Sequence, residues 1–415
     1  MAAASLYVPC AAGVEELLLD ELKYIVPQAR LQGTRGGVQV AAPDDATLPV
    51  TAMRINLECR LGQRVLWCVA QGNYFAEDDL YALARQVSWS DWITPRHTLR
   101  VDVTSQRSPL RSLNFAALRI KDAVCDQLRD ETGERPSVDT RHPDLPLVLH
   151  LGPEEAMLYV DTSGEALFKR GWREDTGEAP LKETLAAAML AAAGWQGRAE
   201  DGPLLDPCCG AGTIAIEAAQ LACGIAPGGQ RRFAFEFQGP FERLEQEWLA
   251  MKAAAKAREH APAVPVYAGD VAFRMTDFAA RNAERAGVRH AIEFKTGDAL
   301  QRPPPASSGT LMLNPPYGER IGAKGSKGSQ GSAPTATRES FEHGTPTEFF
   351  SALASHWKRD YSGWSAWILS PDMKLPGVMR LKESRRVPMW NGPIECRLFR
   401  FDMVAGSARA PARPG

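Results

Sequence analysis

Several features that mark other protein classes are missing from this chain of 415 residues. No apolar run approaches the ~20 residues that cross a bilayer. The longest run, residues 185–193, is rich in alanine and predicts a buried helix. Residues 1–7 place no basic region before an apolar stretch, so we expect no signal peptide. These absences predict a cytoplasmic protein that does not enter a membrane.

Clustered metal ligands are also missing. The eight cysteines are scattered, none of them forms a Cys-x-x-Cys pair, and no histidine cluster accompanies them. Structural zinc sites need closely placed thiols or imidazoles, and disulfide frameworks are typical of short, cysteine-dense secreted chains. We therefore expect no metal site, and a reducing compartment.

A strong excess of charge is absent too, since the formal net charge is −2 and the pI is about 6.4. This balance argues against a large nucleic-acid surface, so any basic patch must be local. The composition, 44% hydrophobic and 24% charged, is typical of a soluble globular protein. A chain of this length exceeds one ordinary core and predicts two or three domains.

The first two predicted regions are small α/β units. In residues 1–60 we expect a strand at 6–9, a helix at 14–23 and a strand after Gly36. By pattern alone, this unit is a generic packing module. In residues 61–165 we expect a strand at 98–104, a helix at 114–129 and a closing hairpin of strands at 147–151 and 157–161.

The second region contains the most basic stretch of the chain. Its candidate phosphate-binding side chains are Arg107, Arg111 and Lys121. Charge alone favours a solvated helix face here, and the functional alternative is contact with nucleic-acid phosphates.

Residues 170–404 alternate strands and helices, which predicts a mostly parallel sheet with helices on both faces. Four strands end in polar residues or turns; they are predicted at 204–205, 264–268, 291–295 and 310–313. A Gly-, Ser- and Thr-rich segment at 323–347 is expected to be a flexible insertion, either a plain linker or a lid. The tail, 405–415, is expected to be disordered.

The first of these strands leads into Asp206-Pro-Cys-Cys-Gly-Ala-Gly-Thr213. Gly210 and Gly212 let the backbone pass close to a ligand. Asp206 would repel a diphosphate, and the run lacks the glycine spacing of a dinucleotide site and the Gly-Lys-Ser/Thr ending of a P-loop. A zwitterionic ligand, such as the methionine part of S-adenosylmethionine, fits better.

Two more carboxylates follow the next two strands. Asp270 could accept both hydroxyls of a ribose, or could cap a helix. Asp298 could accept from an adenine amino group, or could be an ordinary loop carboxylate. Three acids at three consecutive strand ends together favour one nucleoside ligand.

The fourth strand leads into Asn314-Pro315-Pro316-Tyr317. The Asn314 side chain and the Pro315 carbonyl can both accept from the exocyclic amine of a planar base, and two prolines stiffen the backbone. The Tyr317 ring offers a stacking face for an extruded base. The alternative, a plain Asn-Pro turn, is disfavoured by the strand before it and by the Asp206 motif.

Cys208 and Cys209 are expected to be small packing residues under the ligand loop. No histidine lies nearby in sequence to activate either thiol, which argues against a nucleophilic or redox role.

The motifs at 206–213 and 314–317 resemble those of class I S-adenosylmethionine-dependent methyltransferases that modify exocyclic amines. The region before them resembles a THUMP RNA-binding domain preceded by a ferredoxin-like unit. The whole chain from about residue 6 to about residue 401 is similar to the bacterial RlmL type, which methylates guanine N2 in 23S rRNA. Segments at 13–18, 138–144, 181–188 and 391–396 add to the likeness.

The resemblance implies a Rossmann-like methyltransferase domain at 170–404, after a ferredoxin-like domain at 1–60 and a THUMP domain at 61–165. It implies a cofactor site for S-adenosylmethionine formed by Asp206, Cys208, Gly210, Gly212, Thr213, Asp270, Asp298 and Thr184. It implies a base site formed by Asn314, Pro315, Pro316 and Tyr317. One departure is Ala272, where relatives often carry a second acid.

The expected function is therefore methyl transfer to a guanosine N2 in 23S rRNA or its large-subunit precursor. Two alternatives stay open at this point: an adenine-N6 methyltransferase, because the four-residue motif would accept either amine, and a non-catalytic ribosome-assembly factor that binds RNA.

Overall fold

The structure, a computed structural model, describes residues 5–177, 180–315 and 345–404. The chain forms two compact units. The first contains Met1–Glu174, Lys182–Ala191 and Cys223–Ala261; the second contains Asp175–Leu181, Ala192–Ala222 and Pro262–Gly415. The predicted tail at 405–415 and residues 323–344 of the predicted insertion lie outside the described residues.

The strands of the first unit are β1 (Ser5–Pro9), β2 (Arg30–Thr34), β3 (Gly37–Ala41), β4 (Leu66–Asn73), β5 (Thr98–Ser105), β6 (Ser137–Val138), β7 (Leu145–Leu151) and β8 (Glu155–Asp161). Those of the second unit are β9 (Leu204–Asp206), β10 (Val266–Asp270), β11 (Ile292–Thr296), β12 (Gly309–Leu313), β13 (Trp364–Ser370), β14 (Arg385–Asn391) and β15 (Ile394–Asp402).

The helices are α1 (Glu15–Ile25), α2 (Leu48–Glu58), α3 (Glu77–Ala84), α4 (Leu113–Thr132), α5 (Glu183–Ala193), α6 (Thr213–Ala222), α7 (Glu245–Ala257), α8 (Phe273–Arg285), α9 (Pro346–Asp360) and α10 (Leu375–Met379). Short 3₁₀ helices cover Trp89–Asp91, Ala199–Asp201, Ala234–Phe237, Gly239–Leu244 and Arg289–Ala291. In the part of the chain that the structure describes, no helix combines the length and apolarity needed to span a bilayer.

One eight-stranded sheet, in the order β2-β3-β1-β4-β8-β7-β5-β6, runs through the first unit. Strand β1 pairs antiparallel with both β3 and β4, and β4 pairs antiparallel with β8. The two α/β regions expected at 1–60 and 61–165 therefore share a continuous sheet. Sequence pattern could not show this, because strand pairing across such distances leaves no local signal.

The predicted helix at 114–129 is confirmed as α4. Ser112 caps its first turn by accepting from the Phe115 backbone N–H at 3.2 Å, and Gly133 ends it with a φ of 82°. Both residues match the preferences of helix ends, for a hydroxyl at the start and for a left-handed glycine at the close. The buried face, with Ile120 and Val124, packs into the core of the unit.

The segment Cys223–Ala261 belongs to the first unit, although the sequence predicted it within the third region. The Gly228 N–H donates to Leu57 O at 2.9 Å, and the Gly239 N–H donates to Trp92 O at the same distance. Phe241 packs edge-on against Trp67, with ring centroids 5.9 Å apart. Burial of aromatic side chains thus holds this segment in the first unit. The alternation of helices and strands in the sequence does not reveal this packing.

The second unit is built on a seven-stranded sheet in the order β11-β10-β9-β12-β13-β15-β14. Strands β9 to β13 pair in parallel with one another, and β15 runs antiparallel to β13 and β14. Helices lie between β9 and β10, between β10 and β11, and between β12 and β13, as in doubly wound sheets. The predicted α/β fold class, a Rossmann-like sheet after an α/β N-terminal region, is confirmed.

The core on one face of this sheet joins strand residues such as Leu205 and Leu311 to Trp357 of α9. Helix α9 starts with a capping box: Thr345 Oγ1 accepts from the Glu348 N–H at 3.3 Å, and Glu348 Oε2 accepts from the Thr345 N–H at 2.7 Å. Because Pro346 is its first residue, the end of the segment predicted as an insertion is the start of a helix.

Candidate active site

Four strand ends meet at one edge of the second unit's sheet. In the parallel ladders, Asp206 of β9 lies opposite Ala268 of β10, and Asp270 of β10 lies opposite Thr296 of β11. Strand β12, on the other side of β9, ends at the same edge and leads into Asn314. The structure thus brings Asp206, Asp270, Asp298 and Asn314 together at the carboxyl edge, where open α/β sheets bind ligands.

The loop between β9 and α6 depends on two glycines with left-handed backbone angles. Gly210 has a φ of 51° and Gly212 a φ of 91°. A Cβ at Gly212 would lie 2.9 Å from the Cβ of Ala279, so α8 packs against the bare backbone. At Gly210, no described heavy atom lies within 4 Å of the Cβ position. The first glycine therefore leaves room for a ligand, and the second lets helix and loop approach each other.

Asp206 is almost fully buried, with 1% of its surface exposed. Its Oδ1 accepts from the Cys208 N–H at 3.2 Å. Burial raises the pKa of this carboxyl well above its usual range, the charge of Asp270 raises it further, and Arg302 opposes the rise. A carboxylate in this position gains from a cationic ligand, which would replace the lost water.

Asp270 links the end of β10 to the glycine loop. Its Oδ2 accepts from the Gly210 N–H and its Oδ1 accepts from the Ala272 N–H, both at 3.0 Å. Burial raises the pKa of this carboxyl, and the two backbone donors oppose the rise. Ala272, the departure noted in the sequence, contributes its backbone N–H, which any residue type except proline would supply.

Asp298 is held in a turn just after β11. Its Oδ1 accepts from the Leu300 N–H at 2.8 Å, and its Oδ2 accepts from Gln301 Nε2 at 3.3 Å. The side chain is half-buried at the same edge as Asp270. This turn keeps a carboxylate at the third strand end, where the sequence predicted a ligand contact.

Cys208 and Cys209 have the packing environment that the sequence indicated. Burial raises the pKa of both thiols well above the usual range, and the carboxyl of Asp206 raises it further. A thiol in such surroundings is a poor nucleophile, because the thiolate is the reactive form. The Cys209 N–H donates to Gly269 O at 2.7 Å and so ties the loop to β10.

Of the four residues predicted for the base site, two are described. Asn314 is half-buried directly after β12, and Pro315 is buried beside it. Pro316 and Tyr317 lie outside the described residues, so the stacking role of the ring stays a prediction.

Thr184 and the predicted phosphate-binding residues belong to the first unit. Thr184 is buried in the first turn of α5. Arg107 and Arg111 are exposed, whereas the Lys121 ammonium lies 2.7 Å from an Asp122 carboxylate oxygen. Lys121 is therefore partly neutralised, and the two arginines are the better candidates for phosphate contact.

Sequence reasoning missed Arg302, which is 9% exposed. Its Nη1 donates to Ala268 O at 3.1 Å, and its own carbonyl accepts from the Tyr361 hydroxyl at 2.8 Å. A Cβ at Gly269 would collide with the guanidinium. The glycine before Asp270 was the available signal, because a strand glycine often marks the close approach of another group.

Within the described ranges 5–177, 180–315 and 345–404, no cluster of three or more histidine, cysteine or acidic side chains is arranged to hold a metal ion. The buried acid of β9, the acid at the end of β10 and the acid that follows β11 suit an organic ligand with a positive charge and hydroxyl donors.

Three known domain families match the chain in succession. Residues 5–66 match the RlmL ferredoxin-like domain, residues 74–161 match the THUMP domain, and residues 170–330 match the family described as RMKL-like, methyltransferase domain. The matches follow the order that the sequence resemblance implied.

Similar curated proteins include the ribosomal RNA large subunit methyltransferase K/L of Shewanella sp. (strain W3-18-1), 36% identical over 369 residues, which are 88% of this chain and 49% of that protein. The protein of the same name from Shewanella loihica (strain ATCC BAA-1088 / PV-4) is 34% identical over 385 residues, 92% of this chain and 50% of that protein. The chain thus spans about half the length of the curated relatives it matches.

Similar solved structures cover nearly the whole chain. SMU.472 in complex with SAH has a TM-score of 0.80 at 24% identity, covering 97% of this chain and 99% of that one. A protein from Clostridium difficile 630, described as a possible methylase, has a TM-score of 0.80 at 25% identity, with 99% of each chain covered. TrmN from Thermus thermophilus has a TM-score of 0.61 at 18% identity, covering 97% and 100%. These likenesses show a shared fold.

The chain thus carries an RlmL ferredoxin-like domain, a THUMP domain and an RMKL-like methyltransferase domain in this order.

Proposed function

We propose that this chain transfers a methyl group from S-adenosylmethionine to the exocyclic N2 amine of a guanosine in 23S rRNA or its large-subunit precursor, in the cytoplasm. The observation that carries the proposal is the position of Asn314, which leaves β12 at the same sheet edge as Asp206, Asp270 and Asp298. A base held by Asn314 therefore adjoins the place where these acids would hold a nucleoside cofactor.

The residues at this edge fit S-adenosylmethionine. The buried Asp206 suits the cationic methionine end, Asp270 suits the ribose hydroxyls, and Asp298 suits the adenine amino group. The open space at Gly210 leaves room for the ligand against the loop backbone. When bound, this cofactor supplies an electrophilic methyl group on its sulfonium. SMU.472, which shares the fold, was crystallised with SAH.

Asn314 and Pro315 orient the amine that receives the methyl group. The lone pair of a guanine N2 is delocalised into the ring, so the amine is a weak nucleophile. Asn314 Oδ1 and the Pro315 carbonyl each accept one of its N–H groups, which orients the lone pair and stabilises the positive charge that develops on nitrogen. Pro315 has a restricted φ, and because Pro316 follows it in the sequence its ψ is restricted too, so its carbonyl is already oriented before the base arrives.

RNA as the substrate is supported by the THUMP match at 74–161 and by the exposed Arg107 and Arg111 in that region. The relatives are named as large-subunit ribosomal RNA methyltransferases. We further propose domain limits of 1–60, 61–165 and 170–404, with the segment Cys223–Ala261 folding back onto the N-terminal unit.

The test is to map modified nucleosides in 23S rRNA from a strain that lacks this chain, and to restore the modification in vitro with purified protein and labelled cofactor. Loss and recovery of one N2-methylguanosine supports the proposal. Loss of an N6-methyladenosine would assign the adenine alternative, and unchanged nucleosides with defective ribosome assembly would assign the non-catalytic one.

A further inference from the structure

A buried asparagine lies in the second half of α8, the helix that packs against the glycine loop of the candidate site. Asn282 has none of its surface exposed, and Ala279 and Ala283, which share its face of the helix, are fully buried too. Asparagine lowers helix propensity, and burying an amide is costly unless it is hydrogen-bonded. The contacts of this amide therefore explain its presence better than packing alone.

The amide nitrogen of Asn282 binds the glycine loop. Nδ2 donates to the carbonyl of Ala211 at 3.0 Å. Ala211 lies between Gly210 and Gly212, and only 7% of its surface is exposed. A buried carbonyl that loses its donor is destabilising, so this bond fixes the orientation of the peptide group between Ala211 and Gly212.

The same side chain pairs with the backbone of Asp175, which is 107 positions away in the sequence. The Asp175 N–H donates to Asn282 Oδ1 at 3.3 Å, and Asn282 Nδ2 donates to the Asp175 carbonyl at 2.9 Å. The Asp175 carboxylate in turn forms salt bridges with Arg281 at 3.0 Å and with Arg285 at 2.6 Å. One side chain thus joins the glycine loop and the chain at Asp175 to α8.

Separate contacts hold each of the three consecutive residues of this loop. The Gly210 N–H is bound by the carboxylate at the end of β10, the bare backbone of Gly212 packs on α8, and the Ala211 carbonyl is held by Asn282. Because glycine allows the backbone many conformations, such contacts must select one of them. A loop that is already in its binding conformation lowers the cost of binding a ligand.

We propose that Asn282 is a positioning residue for the cofactor, and that its amide keeps the glycine loop in the conformation that binds the cofactor. The inference rests on the proposed function for the identity of this ligand, S-adenosylmethionine. A loop that is released at Ala211 samples other conformations, so the fraction of molecules competent to bind falls and Kd rises by the same factor. Once the cofactor is bound, the loop has its normal shape, and the rate of methyl transfer is preserved.

The experiment compares Asn282→Asp with the wild-type chain by calorimetric titration with S-adenosylmethionine. The new carboxylate has nearly the shape of the amide and can accept from the Asp175 N–H, but it cannot donate to either carbonyl. We expect Kd to rise on the order of 10-fold, as the loss of buried hydrogen bonds implies. The KM for the cofactor should rise in parallel, whereas kcat for methyl transfer to rRNA should stay within about two-fold.

Backbone hydrogen exchange in the cofactor-free protein measures the loop directly. Peptides that cover residues 207–213 should exchange several-fold faster in Asn282→Asp than in the wild type, whereas peptides that cover β13 should be unchanged. A general loss of stability would accelerate exchange in both regions. The comparison therefore separates positioning of the loop from a purely structural role.

Asn56→Asp is the matched control. Asn56 of α2 is also fully buried, and its Nδ2 donates to Ala52 O at 3.0 Å and to Thr162 Oγ1 at 2.9 Å in the first unit. The variant removes the amide donor from an equally buried site. It should lower the melting temperature, as Asn282→Asp does, and leave Kd for the cofactor unchanged.

An unchanged Kd in Asn282→Asp, or an equal loss of affinity in Asn56→Asp, would overturn the proposal. So would a fall in kcat without a change in Kd, or unchanged exchange at residues 207–213. Cofactor binding and loop exchange are measured apart from methyl transfer. A chain that binds the cofactor through Asn282 but methylates no guanosine would therefore support this inference and reject the proposed reaction. A wild-type chain that binds no S-adenosylmethionine would overturn both.

Discussion

The carboxylate of Asp270 accepts a hydrogen bond from the backbone N–H of Gly210, with 3.0 Å between Oδ2 and nitrogen. The two residues are 60 positions apart, yet this bond sets the distance between the end of β10 and the glycine loop. Asp270 thereby shapes the loop, and its remaining lone pairs are the proposed acceptors for the ribose hydroxyls. The same carboxylate also caps the start of the next segment through Ala272.

Asp270→Ala should therefore weaken cofactor binding in two ways, through the lost ribose acceptor and through a looser loop. Hydrogen bonds to charged groups contribute about 1.5–3 kcal/mol, so we expect Kd for S-adenosylmethionine to rise on the order of 10- to 100-fold in calorimetric titration. Asp277→Ala, which removes an exposed carboxylate of α8, is the matched control and should bind normally. Equal affinities for the two variants would exclude this role of Asp270.

Asn314→Ala should nearly abolish methyl transfer and leave cofactor binding within a few-fold of wild type. Removing one preorganised group that stabilises developing charge typically costs about 10²–10³ in rate. The measurement is transfer of a tritiated methyl group to rRNA, paired with calorimetry for the cofactor. Undiminished transfer by this variant would refute the mechanism, whatever the cofactor affinity.

Asp206→Asn should stabilise the cofactor-free protein and at the same time weaken binding of the cofactor. Burial raises the pKa of Asp206 in the folded chain, so the ionised carboxylate opposes folding of the cofactor-free protein once the pH exceeds about 4. The variant should melt at or above the wild-type temperature at pH 7–8, and the difference should shrink as the pH falls toward about 4.

The cofactor should raise the melting temperature of the wild type and barely change that of Asp206→Asn, because the acceptor for its cationic end is gone. Asp277→Asn serves as the control for loss of a surface charge. A melting temperature of Asp206→Asn below wild type at every pH would contradict the pKa argument.

Gly212→Ala and Gly210→Ala test what each glycine of the loop contributes. Both would strain a positive φ, but only at Gly212 does the new Cβ meet a neighbour, Ala279, at 2.9 Å. We expect a loss of about 2–4 kcal/mol in the free energy of unfolding for Gly212→Ala and about 1 kcal/mol for Gly210→Ala. Chemical denaturation measures both, and equal losses would mean that the close packing is unimportant.

Arg107→Gly should weaken RNA binding without weakening the fold. Its φ of 61° suits glycine, and its side chain is exposed. We expect the slope of log K against log salt to fall by roughly 0.7–0.9, whereas Lys121→Gln should change it less, because Lys121 already faces Asp122 at 2.7 Å. A larger effect at Lys121 than at Arg107 would reverse this ranking.

Local sequence signals predicted much of the fold. The strands that end near Asp206, Asp270 and Asn314 were all placed within about two residues, because burial patterns and turn residues act over short distances. The start of α9 was missed, although Thr345 and Glu348 form a capping box, because the Gly- and Ser-rich run before it dominated the pattern.

The sequence by itself determined the types of residue at the strand ends: three acids, two loop glycines and an Asn-Pro pair. It also determined the class of fold, since alternating helices and strands have few ways to bury their apolar faces. The residues of such motifs lie close together in the chain, so the sequence alone reveals them.

The tertiary structure alone decided which of these residues meet. Parallel pairing of β11, β10, β9 and β12 places four strand ends at one edge, and the hydrogen bond from Gly210 to Asp270 closes the loop. The tertiary structure also decided that Cys223–Ala261 packs within the first unit and that the Arg302 guanidinium lies against Gly269. Contacts between segments far apart in the chain depend on packing of the whole domain, which no local pattern encodes.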